Sequence, residues 1–173
     1  MWPELRITYA GMRESSTEIG MKEVPAIIGR LKNLRQLSFR RTKLESLPAE
    51  IGQLENLTHL YLSRNELMEL PAEIGQLQNL TQLDLSRNKL TKLPAEIWQL
   101  KNLTHLNLSS NNLKEIPAEI GQLTKLRILD IGYNKLTSLP PEFGNLTNLR
   151  ELYLLHNQLT TLPAEMGALT SLW

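Results

Sequence analysis

The chain has 173 residues, a formal net charge of +1, no cysteine and 5% aromatic residues. The absence of cysteine excludes a disulfide framework, thiolate metal sites and thiol nucleophiles. The near-zero net charge is unlike the strongly basic charge of a typical nucleic-acid-binding protein. No apolar run approaches the ~18 residues of a membrane span, and no secretory signal is visible. We therefore expect one domain in a reducing, cytoplasmic setting.

The chain opens with a divergent version of a repeat that becomes regular further on. Trp2, Leu5 and Ile7 begin this first repeat, and Val24 with Pro25 belongs to its second half. The two halves are separated by nine more residues than in the later repeats. The extra segment, residues 14–22, is rich in Ser, Thr and Glu, which predicts a surface loop. We assign residues 2–33 to this repeat.

From residue 34 to residue 171 a block of 23 residues recurs six times. Each block follows the pattern L-x-x-L-x-L-x-x-N-x-L-x-x-L-P-x-x-I-x-x-L-x-x, and residues 172–173 begin an eighth block. This ladder accounts for most of the 37 leucines. Since no repeat can bury its leucines alone, the repeats must stack. Residues 1–173 are predicted to form a single domain.

The period within each block predicts its local structure. The alternation in L-x-L indicates a short strand with one apolar face, and strands from successive repeats can pair only in parallel. Proline at the fifteenth position suits the first turn of a helix or 3-10 segment. An inward asparagine at the ninth position can satisfy backbone groups of the turning chain. Thr42 and Ala10 replace it in the first two repeats, so we expect that end to be less regular.

These blocks resemble the leucine-rich repeat family, in its 23-residue subtype that carries LPxxI. Six blocks in fixed register, with Pro in all six and Asn in five, make the resemblance specific. It implies an α/β fold: a right-handed solenoid shaped as a curved horseshoe, with a parallel sheet on the concave side and short helical or 3-10 segments on the convex side. It also implies a non-enzymatic module that binds another protein.

The sequence contains no recognised catalytic or metal-binding motif. Asp84 and Asp130 share a repeat position two strands apart, which places them ~10 Å apart, just beyond the spacing of paired glycosidase carboxylates. His59 and His105 are separated in the same way, and this distance does not allow a shared zinc ion. We therefore predict no catalytic residue, no cofactor and no metal.

Function is expected on the free face of the sheet, at the third, fifth, seventh and eighth positions of each repeat. The residues at these positions vary between repeats, while the buried positions barely vary. A protein partner is therefore predicted to bind there. The candidate partner-binding residues are Arg40, Arg41, His59, Tyr61, Arg64, Asp84, Arg87, His105, Asn107, Asp130, Tyr133, Tyr153, Leu155 and His156.

Two features distinguish the ends of this face. Arginines cluster towards the N-terminal side, which suggests an acidic partner; the alternative is that Glu66 and Asp84 neutralise them locally. Towards the C-terminal side the face is aromatic and apolar, around Tyr153 and Leu155, as at the centre of an interface. The alternative there is a patch covered by a missing C-terminal cap. Nucleic acid and membrane are not favoured as partners.

One residue departs from the repeat on the convex side. Trp98 stands where most repeats have glycine, and it is predicted to pack along its neighbours, with a convex contact site as the alternative. The glycines at this position are Gly52, Gly75, Gly121, Gly144 and Gly167.

The last repeat should expose unpaired strand and core leucines at its edge. We expect either a block cut from a longer protein or self-association through this edge, with the 14–22 insertion covering the other end. The favoured function is a scaffold or recognition module. The alternatives are the recognition fragment of a larger signalling enzyme or of a bacterial effector, which would act in the host cytoplasm, and an engineered consensus scaffold.

Overall fold

Each repeat contributes one strand and one 3-10 segment. The computed structural model describes the backbone of residues 6–10 and all of residues 21–173. The predicted loop over 14–22 therefore lies outside the described residues, apart from Met21 and Lys22. The strands are β1 (Arg6–Ala10), β2 (Gln36–Arg40), β3 (His59–Tyr61), β4 (Gln82–Asp84), β5 (His105–Asn107), β6 (Ile128–Asp130) and β7 (Glu151–Tyr153).

The described strands form one seven-stranded sheet in the order β1 to β7, with every neighbouring pair parallel. The register is fixed by the repeat, because Leu37 pairs with Leu60 and Leu60 with Leu83. From β3 onwards the strands span only the third to fifth positions of the repeat. Inter-repeat backbone bonds continue beyond them, as from the Leu62 amide to the Asp84 carbonyl at 2.8 Å. The predicted solenoid of parallel strands is confirmed.

The other side of each repeat is a five-residue 3-10 segment. Its proline lies one residue before the segment, in extended conformation, so the prediction of proline within the first turn is wrong by one residue. At Pro48, φ is -75° and ψ is 153°, and its carbonyl accepts from the Ile51 amide at 3.1 Å. The segments are Ala26–Arg30, Ala49–Gln53, Ala72–Gln76, Ala95–Gln99, Ala118–Gln122, Pro141–Asn145 and Ala164–Ala168.

The core is a stack of leucine and isoleucine layers between the sheet and the 3-10 segments. Leu60, Leu62 and Ile74 have no exposed surface, and the equivalent residues of the next repeats are equally buried. Each layer is closed by the repeats on either side of it. Stability therefore comes from stacking, as expected for a solenoid.

A buried asparagine ladder ties each turn to the repeat before it. The Nδ2 group of Asn88 donates to the carbonyls of Leu62 and Leu85, each at 3.0 Å, and its Oδ1 atom accepts from the Leu67 amide at 3.1 Å. The same pattern recurs at Asn111. The predicted role of this column is confirmed. Thr42 occupies the position of this asparagine in an earlier repeat. In that repeat Lys43 also has a left-handed φ, of 61°, which the equivalent residues of the later repeats do not have. This end is therefore less regular, as expected.

A second, exposed asparagine ladder was not anticipated from the sequence. Asn56 donates to the Lys32 carbonyl, Asn79 to the Glu55 carbonyl and Asn102 to the Gln78 carbonyl, each at 2.8 Å. Each bond joins the last position of one repeat to the repeat before it. The two ladders therefore fasten neighbouring repeats both inside and outside the core.

A glycine within most of the 3-10 segments allows neighbouring segments to stack closely. A Cβ atom at Gly52 would lie 2.6 Å from the Glu73 carbonyl oxygen. Trp98 replaces this glycine in one repeat and is only 2% exposed. The backbones of Ala95–Gln99 and Ala118–Gln122 are less closely apposed than those of the other neighbouring segments. The predicted packing of Trp98 is confirmed: the indole fills space that the repeats open for it.

The last repeat is less buried than those before it, as predicted. Leu152, Leu154 and Leu159 are only partly buried, and Leu162 is 55% exposed, whereas the equivalent Leu139 is 6% exposed. The far side of this repeat therefore presents core leucines at the surface.

Replacing Asn88 by alanine should destabilise the protein by roughly 2–4 kcal/mol, because two buried carbonyls and one amide lose their partners. The free energy of unfolding is measured by urea denaturation. The matched control is Asn79→Ala, which removes an exposed amide and should cost less than about 1 kcal/mol. Equal losses for the two variants would contradict the assigned role of the buried ladder.

Replacing the glycines of the 3-10 segments by alanine should change stability by different amounts along the chain. Gly52→Ala should destabilise by roughly 1–3 kcal/mol, because the new methyl group meets the backbone of the next repeat. At Gly167 an added Cβ meets no atom within 4 Å. Gly167→Ala should therefore be neutral or slightly stabilising. Thermal unfolding checks both, and a destabilised Gly167→Ala variant would count against this explanation of the column.

Candidate functional site

The open face is the set of side chains at the third, fifth, seventh and eighth positions, on the side of the sheet away from the core. All the candidate partner-binding residues lie on it. Exposure is uneven: Arg64 and Leu155 are exposed, whereas Ser63 and Gly132, both at the seventh position, are buried. The seventh position is therefore not uniformly outward as predicted, because the chain has already begun to turn there.

The turn at the eighth position uses left-handed backbone without glycine. Here φ lies between 54° and 59°, a region that side chains with a Cβ seldom adopt. The amide at this position donates to the seventh carbonyl of the next repeat, as from Arg64 to Ser86 at 2.9 Å. The stacked repeats thus hold Arg41, Arg64, Arg87, Ser110 and Tyr133 in the same orientation. His156 adopts the same φ in the last repeat.

Acidic and amide side chains at the fifth position cap the start of this turn. One oxygen of Asp84 accepts from both the amide and the hydroxyl of Ser86, at 3.1 and 2.7 Å. Asn107 accepts from Ser109 in the same way, and Asp130 accepts from the Gly132 amide at 3.0 Å. Because Asn107 performs this role without charge, the charges of Asp84 and Asp130 are not required for it. This local role was not predicted from the sequence.

Arg40 is the one arginine of the open face that the described carboxylates neutralise. Its guanidinium lies 3.3 Å from the Asp84 carboxylate and 4.4 Å from the centroid of the Tyr61 ring. Glu66, expected as a second neutralising group, is instead paired with Lys89 at 2.8 Å. Lys89 lowers the pKa of the Glu66 carboxyl through this hydrogen bond. The alternative of local neutralisation therefore holds for Arg40 and fails for the other arginines.

We define Arg41, Arg64 and Arg87 as the arginine stripe. All three are exposed, and within residues 21–173 none of them forms an ion pair. The charge of Arg41 lowers the pKa of the Arg64 guanidinium, and loss of hydration and the charge of Arg87 lower it further. The stripe is therefore a row of like charges that repel one another.

The two histidines on the strands have a defined orientation. Thr104 donates its hydroxyl proton to the Thr81 carbonyl at 3.0 Å, so its oxygen accepts from the His105 Nδ1 atom at 2.8 Å. This network assigns the proton to Nδ1 and makes Nε2 the acceptor of the neutral ring. His59 makes the equivalent contact with Thr58 at 2.8 Å.

We define Tyr133, Tyr153, Leu155 and His156 as the aromatic patch. The rings of Tyr133 and His156 lie 4.4 Å apart between centroids. Tyr153 donates to the Glu151 carboxylate at 2.7 Å, and this hydrogen bond raises the pKa of the phenol. Tyr153 is 51% exposed and Leu155 65%, which is high for large apolar side chains. The patch is therefore exposed to solvent.

A shallow groove of about 240 Å³ runs across the strands of the open face, from Tyr61 to Tyr153. Its lining includes Tyr61, Asp84, His105, Asn107, Asp130 and Tyr153. The structure thus brings most of the central candidate residues together, and Tyr153 belongs to both the groove and the aromatic patch. In the described part of the chain, no cluster of three or more His, Asp or Glu residues could hold a metal ion. Nor is any described helix long and apolar enough to cross a membrane.

A stacked solenoid with a constant core and a variable open face defines a class of repeat modules. Leucine-rich repeat models match residues 69–113, 101–159 and 124–173, and a further one matches residues 56–77. The chain belongs to the leucine-rich repeat family. Domains of this family are typically non-enzymatic interaction modules. No curated protein sequence matches the chain.

Solved structures extend the comparison. The chain is 40% identical to a leucine-rich repeat protein of Leptospira interrogans, with a TM-score of 0.64 over 90% of this chain and 52% of that one. It is 39% identical to the ectodomain of the Arabidopsis thaliana receptor kinase GASSHO1/SCHENGEN3 in complex with CASPARIAN STRIP INTEGRITY FACTOR 2, with a TM-score of 0.81 over 87% and 19%. It is 37% identical to the plant peptide hormone receptor RGFR1 in complex with RGF2, with a TM-score of 0.77 over 87% of this chain and 25% of that one. The chain thus spans about half of the first protein and a quarter or less of the receptors.

Arg64→Ser should raise the melting temperature at low ionic strength, because it removes the central charge of a repelling row. Serine occupies the same backbone conformation at Ser110, so the turn should tolerate it. The gain should shrink in about 1 M salt, where the screening length is only ~3 Å. A gain that is independent of salt, or a loss at low salt, would contradict the repulsion.

Proposed function

We propose that this chain is a recognition or scaffold module that binds a protein partner through the open face of its sheet. The observation that carries the proposal is the contrast between the two sides of the strands. Inward residues such as Leu83 and Leu106 are leucine in repeat after repeat and almost wholly buried. Outward residues vary along the chain, and several are large, apolar and exposed. Packing therefore determines one side and leaves the other free to be specific.

The aromatic patch is the strongest local support. Tyr133 is 53% exposed, close to the value for Tyr153, and Leu155 lies beside them on the same face. Tyrosine is enriched among the few residues that supply most of the affinity of an interface, and exposed apolar patches mark interaction sites. The two plant receptors similar to this chain are described in complexes with RGF2 and CASPARIAN STRIP INTEGRITY FACTOR 2, and this supports a protein or peptide partner here.

The test is affinity capture with the chain as bait, followed by quantitative mass spectrometry. The double variant Arg64→Glu, Tyr153→Ala should lose the partner that the unmodified bait retains, by at least about tenfold in recovery. The control is Met68→Ala, which removes an equally exposed apolar side chain outside the open face. Full retention of the partner by the double variant would overturn the proposal.

A second candidate function is self-association through the last repeat, supported by its exposed core leucines. Leu162 is exposed, whereas its counterpart in the preceding repeat, Leu139, is almost buried. Two copies could bury this apolar side and pair the strand edge of β7.

The cytoplasmic setting expected from the cysteine-free sequence stays a prediction.

Sedimentation velocity over a range of concentrations tests self-association. The unmodified chain should shift from monomer to dimer, and Leu162→Glu should prevent the shift by placing a charge in the interface. Met68→Glu introduces the same charge away from the last repeat and should leave the shift unchanged. A monomer at all concentrations would contradict this candidate.

A further inference from the structure

The arginine stripe has a regular spacing that the fold imposes. Arg41, Arg64 and Arg87 occupy one position in three successive repeats, with φ values of 59°, 59° and 56°. Neighbouring strands of a sheet lie ~4.8 Å apart, so the backbones of the outer two arginines are roughly 10 Å apart. Because the backbone conformation is the same in all three, the side chains leave the sheet in parallel. The stripe therefore offers three guanidinium groups to one ligand.

The carboxylates around the stripe already form ion pairs with other cations. Glu45 pairs with Lys22 at 2.8 Å, Glu66 with Lys89 and Asp84 with Arg40. An incoming anion would therefore relieve repulsion within the stripe without breaking an ion pair. This favours an anionic ligand over a neutral one.

The charge of the same column changes along the solenoid. After Arg87 the eighth position is occupied by Ser110, Tyr133 and His156, so the positive row ends abruptly. Asp130 and Glu151 lie on the strands towards the C-terminal side. A uniformly anionic polymer such as nucleic acid would be repelled there. A polypeptide can be acidic at one end and apolar at the other, which is the order this face requires.

We propose that the partner presents an extended segment with two or three acidic side chains over the arginine stripe and an apolar side chain on the aromatic patch. The inference rests on the proposed function and specifies its ligand. Alternate side chains of an extended chain lie ~6.6–6.8 Å apart, so two or three acidic residues span the stripe. Arginine binds carboxylates through paired, charge-assisted hydrogen bonds. From Arg87 to Leu155 there are three strand spacings, roughly 14 Å, which an extended chain crosses in about four residues.

The experiment is selection of a displayed library of random 12-residue peptides on the intact chain, followed by sequencing of the bound peptides. Acidic residues should be enriched in a cluster, with an apolar residue about four positions away. The affinity of the best selected peptide is then measured by fluorescence anisotropy for three variants. The stripe variant is Arg41→Ser, Arg64→Ser, Arg87→Ser, and the patch variant is Tyr153→Ala, Leu155→Ala. The control is Lys92→Ser, Lys101→Ser, Lys114→Ser, which removes the same charge away from the open face.

The stripe variant should weaken binding at least about tenfold and flatten its salt dependence, and the control should change affinity less than about twofold. Thermal melting establishes that each variant is folded. Selected peptides without acidic enrichment, or unchanged affinity for the stripe variant, would overturn this inference. If the patch variant alone then abolished binding, the proposed function would still stand. If neither variant affected binding, or no peptide were selected, both would fail. Tighter, stripe-dependent binding of a mixed-sequence 12-nucleotide single-stranded DNA would overturn the assignment to a peptide.

Discussion

The buried asparagine ladder is the interaction on which the rest of the structure depends. A chain that turns sharply after every strand leaves backbone amides and carbonyls inside the stack, where no water can satisfy them. Asn88 satisfies three such groups at once, one in its own turn and two in the repeat before it. The turn is thereby closed at the same repeat position wherever this asparagine is present. Leucine layers can then stack in register, because every repeat has the same shape.

The open face follows from this regularity. From Arg41 to Tyr133, the inter-repeat bonds that close the turn also hold the eighth residue in left-handed backbone, whichever side chain it carries. Arginine, serine, tyrosine and histidine all occupy it with nearly the same φ. The scaffold therefore tolerates changes of charge and size at this position, at the cost of backbone strain that stacking offsets. Variation along the face is available for recognition because stability is determined on the other side of the sheet.

Periodic features of this protein are predictable from sequence, and local ones are not. The leucine register, parallel pairing and the role of Asn88 follow from a pattern that recurs six times, so independent copies support each inference. The left-handed turn carries no glycine signal, since Arg64 and Tyr133 occupy it. The partners of Asp84 and Glu66 depend on which of several nearby cations a side chain reaches, which composition does not specify. Proline was misplaced by one residue because its fixed φ suits both sides of a 3-10 boundary.

Amide hydrogen exchange measured by NMR tests most directly whether the buried ladder holds the turns and leaves the face free. In the unmodified chain, the Leu67 amide should exchange as slowly as the amides of the strands. It should exchange at least about tenfold faster in Asn88→Ala and at the original rate in the stripe variant. A Leu67 amide that remained protected in Asn88→Ala, or that lost protection when only the stripe was changed, would contradict the account.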